Sequence, residues 1–359
     1  MIISSPPELY DIDESQDETS PDSVVTAKAS EVRELVVPPE FHGQRLDRML
    51  VAGVPEFSRS YLQQLLEDGA VSRGGLAQLK SALKVKAGEL WHIELRATPQ
   101  SQAFKPESMA LNVVYEDADL RVIDKPAGLV VHPAPGNWSG TLMNGLLGLD
   151  PALMELPRAG IVYRLDKDTS GLMVVARTRA AMDALVQKMA AREIKRQYVA
   201  MSDQVWTGNT QKTVDLPIGR DPANRLRMAV VDLAKNSGKT AKTHFRVMSQ
   251  SEHGSLVRCI LETGRTHQIR AHFKHIGHPL FGDETYGGLE MPDKPGWPKF
   301  KEFMVNNLKI CPRQALHARM LGFEHPTKKG ERLRFEAALP EDMETVIERF
   351  RNYVAVHLA

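Results

Sequence analysis

The stretch from Gly160 to Thr178 reads GIVYRLDKDTSGLMVVART. Two short apolar runs enclose Arg164, Asp166, Lys167 and Asp168, so the charged cluster sits in a turn that must face solvent or a cleft. GLMVVA is short and valine-rich, which suits a buried strand better than a helix. For an arbitrary Arg-x-Asp-x-Asp, a solvated turn is the ordinary meaning. A calcium loop is the other, since Asp166, Asp168, Ser170 and Gly171 fall at the first, third, fifth and sixth positions of an EF-hand pattern. The twelfth is Arg177 where a bidentate Glu is required, and a strand follows where a helix should, so calcium is not expected.

Outward from this turn, LNVVYED, LRVID, the turn KPAG and LVVHP read as successive strands, and GLMVVART and RQYVAM follow with a helical AAMDALVQKMAAREI between them. THFRVM, SLVRCILET, a helical THQIRAHFKHIG and the strand ERLRFEAAL complete the pattern. Strands and helices without regular βαβ alternation predict an α+β domain on a mostly antiparallel mixed sheet, over residues 110–359. Upstream, residues 40–97 form a separate small α/β module: RLDRML, then SRSYLQQLLEDGAV with Ser58 as N-cap and Gly69 as C-terminal stop, then LKVKAGELWHIEL. Residues 98–109 have a linker's composition.

Residues 1–34 hold nine acids against two bases, a net of −7; the whole chain is at +1, so the remainder carries +8. A polar acidic tail, expected to be disordered, on a basic body is compatible with a nucleic-acid partner. Two cysteines, Cys259 and Cys311, are too few for a disulfide framework, and no CxxC pair offers a zinc site. The N-terminus lacks a basic and then apolar signal pattern, and no apolar run approaches the roughly 20 residues a membrane span needs. A cytoplasmic protein with no membrane partner is expected.

Residues 262–288, ETGRTHQIRAHFKHIGHPLFGDETYGG, bring together Arg265, His267, Arg270, His272, Lys274, His275 and His278. His267 and His272 are five apart, off the i,i+4 face of a zinc helix, so a basic face meeting phosphates is preferred to a metal site. KPAGLVVHPAPGNWSGT has neither GK[ST] nor GxGxxG, and is a turn rather than a phosphate loop.

Taken in order, KPAGLVVHP, RAGIVYRLDKDTSGLMVVART, REIKRQYVA, LETGRTHQIRAHFKHIGHPLFGDETYGG and RQALHA resemble the pseudouridine synthase family that modifies ribosomal and transfer RNA. The branch is the one typified by ribosomal large subunit synthases A, C and D, and GNWSGT and TVDLPIGRDP bring it nearest the D group. The module at 40–97 resembles an S4-type RNA-binding domain, departing at VSRGGL where that domain usually writes V-x-V-N-G. Lys80, Lys84, Lys86 and Arg59 would meet phosphates there.

The resemblance implies that Asp166 is the catalytic aspartate, Tyr198 the pocket tyrosine and Arg270 the arginine paired with the aspartate. It also makes Arg164 the residue that enters the RNA stack and Leu316 the apolar wall of the uracil pocket. Arg265, His267 and Lys125 join Arg164 and Leu316 as substrate-binding residues. Tyr163 stands where the family often has His. The implied activity is isomerisation of uridine in 23S ribosomal RNA, at the helix 69 stem-loop, as free RNA or within a pre-50S particle, by a monomer. Other 23S or transfer-RNA uridines, or a non-catalytic ribosome-assembly role, are the alternatives.

The chemistry suits these residues. Breaking an N–C glycosidic bond, turning the base and forming a C–C bond needs no redox change and no imported group, so no cofactor or metal is expected. A carboxylate is needed near the ribose or base, as nucleophile or proton acceptor. The base must first be extruded, at a cost of a few kcal/mol.

Overall fold

The structure is a computed structural model that describes residues 31–55, 59–95, 103–134, 136–290 and 298–353. The chain divides into two compact units, one of residues 14–105 with 134–139, the other of residues 106–133 with 140 onward.

In the first unit, β1 (Glu31–Val36), α1 (Leu46–Gly53), α2 (Arg59–Glu67), β2 (Val71–Arg73), β3 (Leu76–Ala77) and β4 (Leu90–Leu95) form a sheet in the order β1-β4-β2-β3 with two helices. Leu46, Leu50, Leu62 and Leu65 from the helices bury against Trp91 and Ile93 of β4. Both helices are amphipathic, and this apolar stripe is what holds them on the sheet. The module starts earlier than the composition suggests: Glu31–Val36 pair antiparallel with Leu90–Leu95, so the last residues of the acidic segment are a strand. Their charges lie beside Val32, Leu35 and Val36, and backbone pairing outweighs the polar composition. Gly69, at φ 69°, stops α2 as its position implies, whereas Ser58 lies outside the described residues. Gly74 and Gly75, both at positive φ, close the two-residue β2–β3 hairpin, the turn for which VSRGGL is suited. Residues 1–30, the rest of the acidic tail, also lie outside the described residues.

The second unit holds β5 (Asn112–Glu116), β6 (Leu120–Lys125), α3 (Leu142–Leu149), β7 (Ser170–Ala176), α4 (Arg179–Ala190) and β8 (Lys195–Ser202). β9 (Gln211–Asp215), β10 (Ile218–Arg220), β11 (Met228–Val230), β12 (Lys242–Gln250), β13 (Ser255–Leu261) and α5 (Gln268–His275) follow. The last elements are α6 (Pro298–Ile310), β14 (Leu316–Glu324), β15 (Arg332–Glu336) and α7 (Glu341–Asn352). Among the described residues nine strands form one sheet, in the order β5-β6-β7-β14-β8-β13-β12-β9, with β15 added to β14; β10 and β11 make a separate hairpin. Every pairing in it is antiparallel except β7 with β14, which is parallel at His317 opposite Ser170 and Ala318 opposite Gly171. The mixed, mostly antiparallel α+β fold is therefore as expected. β7, buried at all seven positions, lies at the centre of the main core.

One expectation fails in detail, and the linker segment, within which the two units divide, is packed at its end. LVVHP is not a strand: the carbonyls of Val130 and Val131 accept from the amides of Leu142 and Met143, so this segment satisfies the first turn of α3. The end of the presumed linker is fastened down. Glu107 accepts from the Gly140 amide at 3.0 Å, and Met109 packs so closely on Gly145 that a Cβ there would meet its sulfur at 2.9 Å.

Candidate active site

Asp166 sits in an irregular turn just before β7, and that turn is braced from behind by two buried cations. Lys125, at the end of β6, is fully buried and spends all three ammonium protons on main-chain carbonyls: Pro126 at 2.8 Å, Leu129 at 2.9 Å and Lys167 at 2.9 Å. Burial lowers its pKa to about 8. Arg313 donates to the Asp168 carbonyl at 3.0 Å and is itself gripped by both carboxylate oxygens of Asp342 in α7, at 2.7 and 2.9 Å. The turn closes on itself through the Thr169 amide, which donates to the Asp166 carbonyl. Lys125, expected among the substrate-binding residues, holds the turn from within, with all three of its protons taken by main-chain carbonyls.

Above the turn, α5 delivers Arg270. Its Nη1 donates to Asp166 Oδ2 at 3.1 Å, while Nε and Nη2 form a fork on Asp283 at 2.8 and 2.9 Å. Asp283 is fully buried, and the face of the guanidinium lies 5.0 Å from the centre of the Tyr286 ring. The Tyr286 hydroxyl donates to the Met228 carbonyl at 3.0 Å and lies 3.1 Å from His267 Nδ1. Having only one proton, that hydroxyl must accept from His267, which places the imidazole proton on Nδ1. His267 adopts φ 53° at the head of α5, a conformation seldom taken by residues other than glycine and frequent at functional sites.

Electrostatics favour an ionised Asp166. Burial acts to raise its pKa, but His267, Arg270 and Arg164 together bring it below the ordinary value. Burial lowers the pKa of His267 itself, so at neutral pH the two arginines carry the effect. Arg164 is exposed and donates to the Thr266 hydroxyl. It lies in irregular chain rather than in an extended strand, yet within electrostatic reach of Asp166.

Tyr198 of β8 is buried, and its phenol is raised by burial while feeling the charges of both Arg196 and Asp166. Leu316, at the start of β14, belongs to the same apolar cluster and lies opposite Ala200 in the register that sets Ala318 opposite Tyr198. Arg265 is turned elsewhere, donating through Nε to the Thr240 carbonyl at 3.1 Å. The other histidines do not converge: His272 bonds Thr243 and the Leu216 carbonyl, and His278 stacks on Trp206 with ring centres 4.7 Å apart.

Residues 119–275 match the RNA pseudouridylate synthase family. Ribosomal large subunit pseudouridine synthase D of Neisseria meningitidis is 46% identical over 321 residues, 88% of this chain and 82% of that protein. The protein of the same name from Escherichia coli is 44% identical over 86% of this chain and 91% of its own length. The chain belongs to the RNA pseudouridylate synthase family. It is accordingly an RNA pseudouridine synthase, an isomerase. Among solved structures, Human RNA Pseudouridylate Synthase Domain Containing 4 aligns at 25% identity with a TM-score of 0.49, covering 67% of this chain and 93% of that one.

Within that family's framework the structure adds residues that motif reading passed over. Asp283 and Tyr286 lie in FGDETYGG, Arg313 in RQALHA and Arg196 in RQYVA. Each stands in a stretch already singled out, but a motif does not say which of its side chains turn inward.

Proposed function

We propose that the chain converts uridine to pseudouridine in 23S ribosomal RNA, at the helix 69 stem-loop during large-subunit maturation, with Asp166 as the catalytic carboxylate. One observation carries this reading: a half-buried carboxylate kept ionised by Arg270, whose own position is fixed by buried Asp283, with the buried Tyr198 phenol within reach of its charge. An ionised carboxylate can act on the ribose or the base without help from a cofactor, and the arginine that keeps it charged also orients it. Tyr198 and Leu316 form the flat and apolar sides against which an everted uracil rests. Arg164, exposed beside the turn, fills the gap the base leaves while its charge faces phosphates. The large-subunit target rests on the names of the relatives and on the likeness to the D group.

The first unit, similar in motif order to an S4 domain, contributes phosphate contacts through the exposed Lys80, Lys84 and Lys86. The decisive experiment is tritium release from [5-³H]uridine-labelled 23S RNA fragments containing helix 69, with Asp166→Asn as control. The wild-type chain should release tritium and the variant should not; full activity in the variant would remove Asp166 from the chemistry.

A further inference from the structure

Arg196 poses a problem that the reaction centre described so far does not solve. It lies on β8 two residues before Tyr198, and alternate strand residues share a face. The residue is 6% exposed. Among the described residues, no carboxylate lies within ion-pair distance, no hydrogen-bond acceptor reaches the guanidinium, and Nε is sealed from water without a partner. Other buried arginines near the site are neutralised: Arg270 by Asp283 and Asp166, Arg313 by Asp342. Only Nε is fully sealed, and Nη1 and Nη2 stay open without a protein acceptor, so a largely desolvated cation is left with donors free to meet an anion.

Two contacts fix where this cation sits. Its guanidinium carbon is 5.3 Å from the centre of the Tyr163 ring, a favourable but weak partner. Its Nη1 lies so close to Gly264 that a Cβ there would be 2.8 Å away. It is therefore packed under the loop that carries Thr266, the partner of Arg164, and His267. The Tyr198 phenol, two residues along the same strand, feels the charges of both Arg196 and Asp166. Tyr163 thus has a physical role: its ring is the platform for Arg196, and its hydroxyl is anchored on the Leu172 carbonyl at 3.3 Å.

We infer that Arg196 is the unpaired cation that takes up negative charge on a carbonyl oxygen of the everted uracil during the isomerisation. This rests on the function proposed above. When the C1′–N1 bond breaks, its electron pair remains with the ring and spreads onto the carbonyl oxygens. When C5 bonds to C1′, the ring supplies that pair again, and the proton on C5 is then lost. Attack of a carboxylate on the ring would likewise place charge on a carbonyl oxygen. In either case the charge is transient, so the cation that meets it has no partner in the free protein. A preorganised donor of this kind acts on the transition state more than on the bound ground state.

The test uses the full-length chain with labelled RNA and compares Arg196→Met, which keeps length but not charge, with Arg196→Lys. Single-turnover tritium release should fall by about 10²-fold or more in the Met variant, and by much less in the Lys variant. RNA affinity and melting temperature should remain near wild type in both. On RNA carrying 5-fluorouridine, whose ring anion is intrinsically more stable, the deficit of Arg196→Met in glycosidic cleavage should shrink. Wild-type turnover in Arg196→Met overturns the inference, as does an equal loss in both variants accompanied by a lower melting temperature, which marks a packing role against Tyr163. A wild-type chain that releases no tritium sinks the proposed function and this inference with it, so the two failures are distinguishable.

Discussion

Asp283 holds Arg270 on two edges, Nε to Oδ2 at 2.8 Å and Nη2 to Oδ1 at 2.9 Å, and this fork leaves Nη1 directed at Asp166. The geometry of the Asp166 carboxylate is thus set by a residue that does not touch it. Because both partners are buried, removing one strands the other's charge. Asp283→Ala should lower the free energy of unfolding by about 3–5 kcal/mol, measured in urea, and reduce tritium release even where the variant remains folded. A variant of near wild-type stability would mean that Arg270 is held chiefly by its contact with Tyr286.

The pH dependence follows from the same arrangement. Burial works to raise the Asp166 pKa, and the charges of His267, Arg270 and Arg164 outweigh it, leaving it lower than that of an ordinary carboxylate. A carboxylate depressed on folding contributes stability that is present above its unfolded pKa, near 3.9, and is lost as pH falls through the lower folded value. The rate of single-turnover tritium release should therefore show no acid limb from Asp166 above about pH 4. In Arg270→Gln, burial is less opposed and the limb should move up by about 1–3 units. Superimposable acid limbs in the two proteins would contradict this account.

The succession of strand and helix patterns makes the α+β fold readable in the sequence, whereas Asp166, Tyr198 and Arg270 are singled out by the resemblance of their motifs to the family and not by their local composition, which for an isolated Arg-x-Asp-x-Asp means only a solvated turn. What stayed hidden depends on distant partners. LVVHP has the composition of a strand, but its carbonyls are taken by the first turn of α3, and nothing local separates the two uses. Asp283 is one of two neighbouring acids in GDETY; only the fold shows that it is sealed behind Arg270 while Glu284 is exposed. Lys125, expected to bind substrate, is hidden for the same reason, since one of its three acceptors lies 42 residues further along the chain.

That placement of Lys125 makes a prediction that sets a brace apart from a substrate contact. Lys125→Met keeps the packing of the stem and leaves the Pro126, Leu129 and Lys167 carbonyls short of a donor, each worth roughly 1–3 kcal/mol when unsatisfied. Relief from burying a charge offsets part of that. The turn carrying Asp166 should loosen, so kcat falls about tenfold or more. RNA affinity and its salt dependence should be unchanged. A variant that binds RNA more weakly, with a shallower slope of log affinity against log salt, would show instead that the ammonium neutralises a phosphate.

The close pairing of β7 with β14 gives the last prediction. Gly171 sits at φ 116°, and a Cβ there would lie 2.3 Å from the Ala318 carbonyl oxygen and 2.6 Å from its amide nitrogen. Both are backbone atoms of the neighbouring strand, so no rotamer change relieves the overlap. Gly171→Ala must push β7 off β14 at their parallel contact, a short way along the chain from Asp166. Gly330, at φ 83° with open space within 4 Å of where a methyl group would stand, is the matched control: its alanine variant meets only the backbone penalty, about 1–2 kcal/mol. Thermal melting of the two variants should therefore differ widely, with Gly171→Ala poorly soluble or melting far below Gly330→Ala. Equal melting temperatures would mean that β7 and β14 can separate at little cost, and that the position of Asp166 does not depend on their contact.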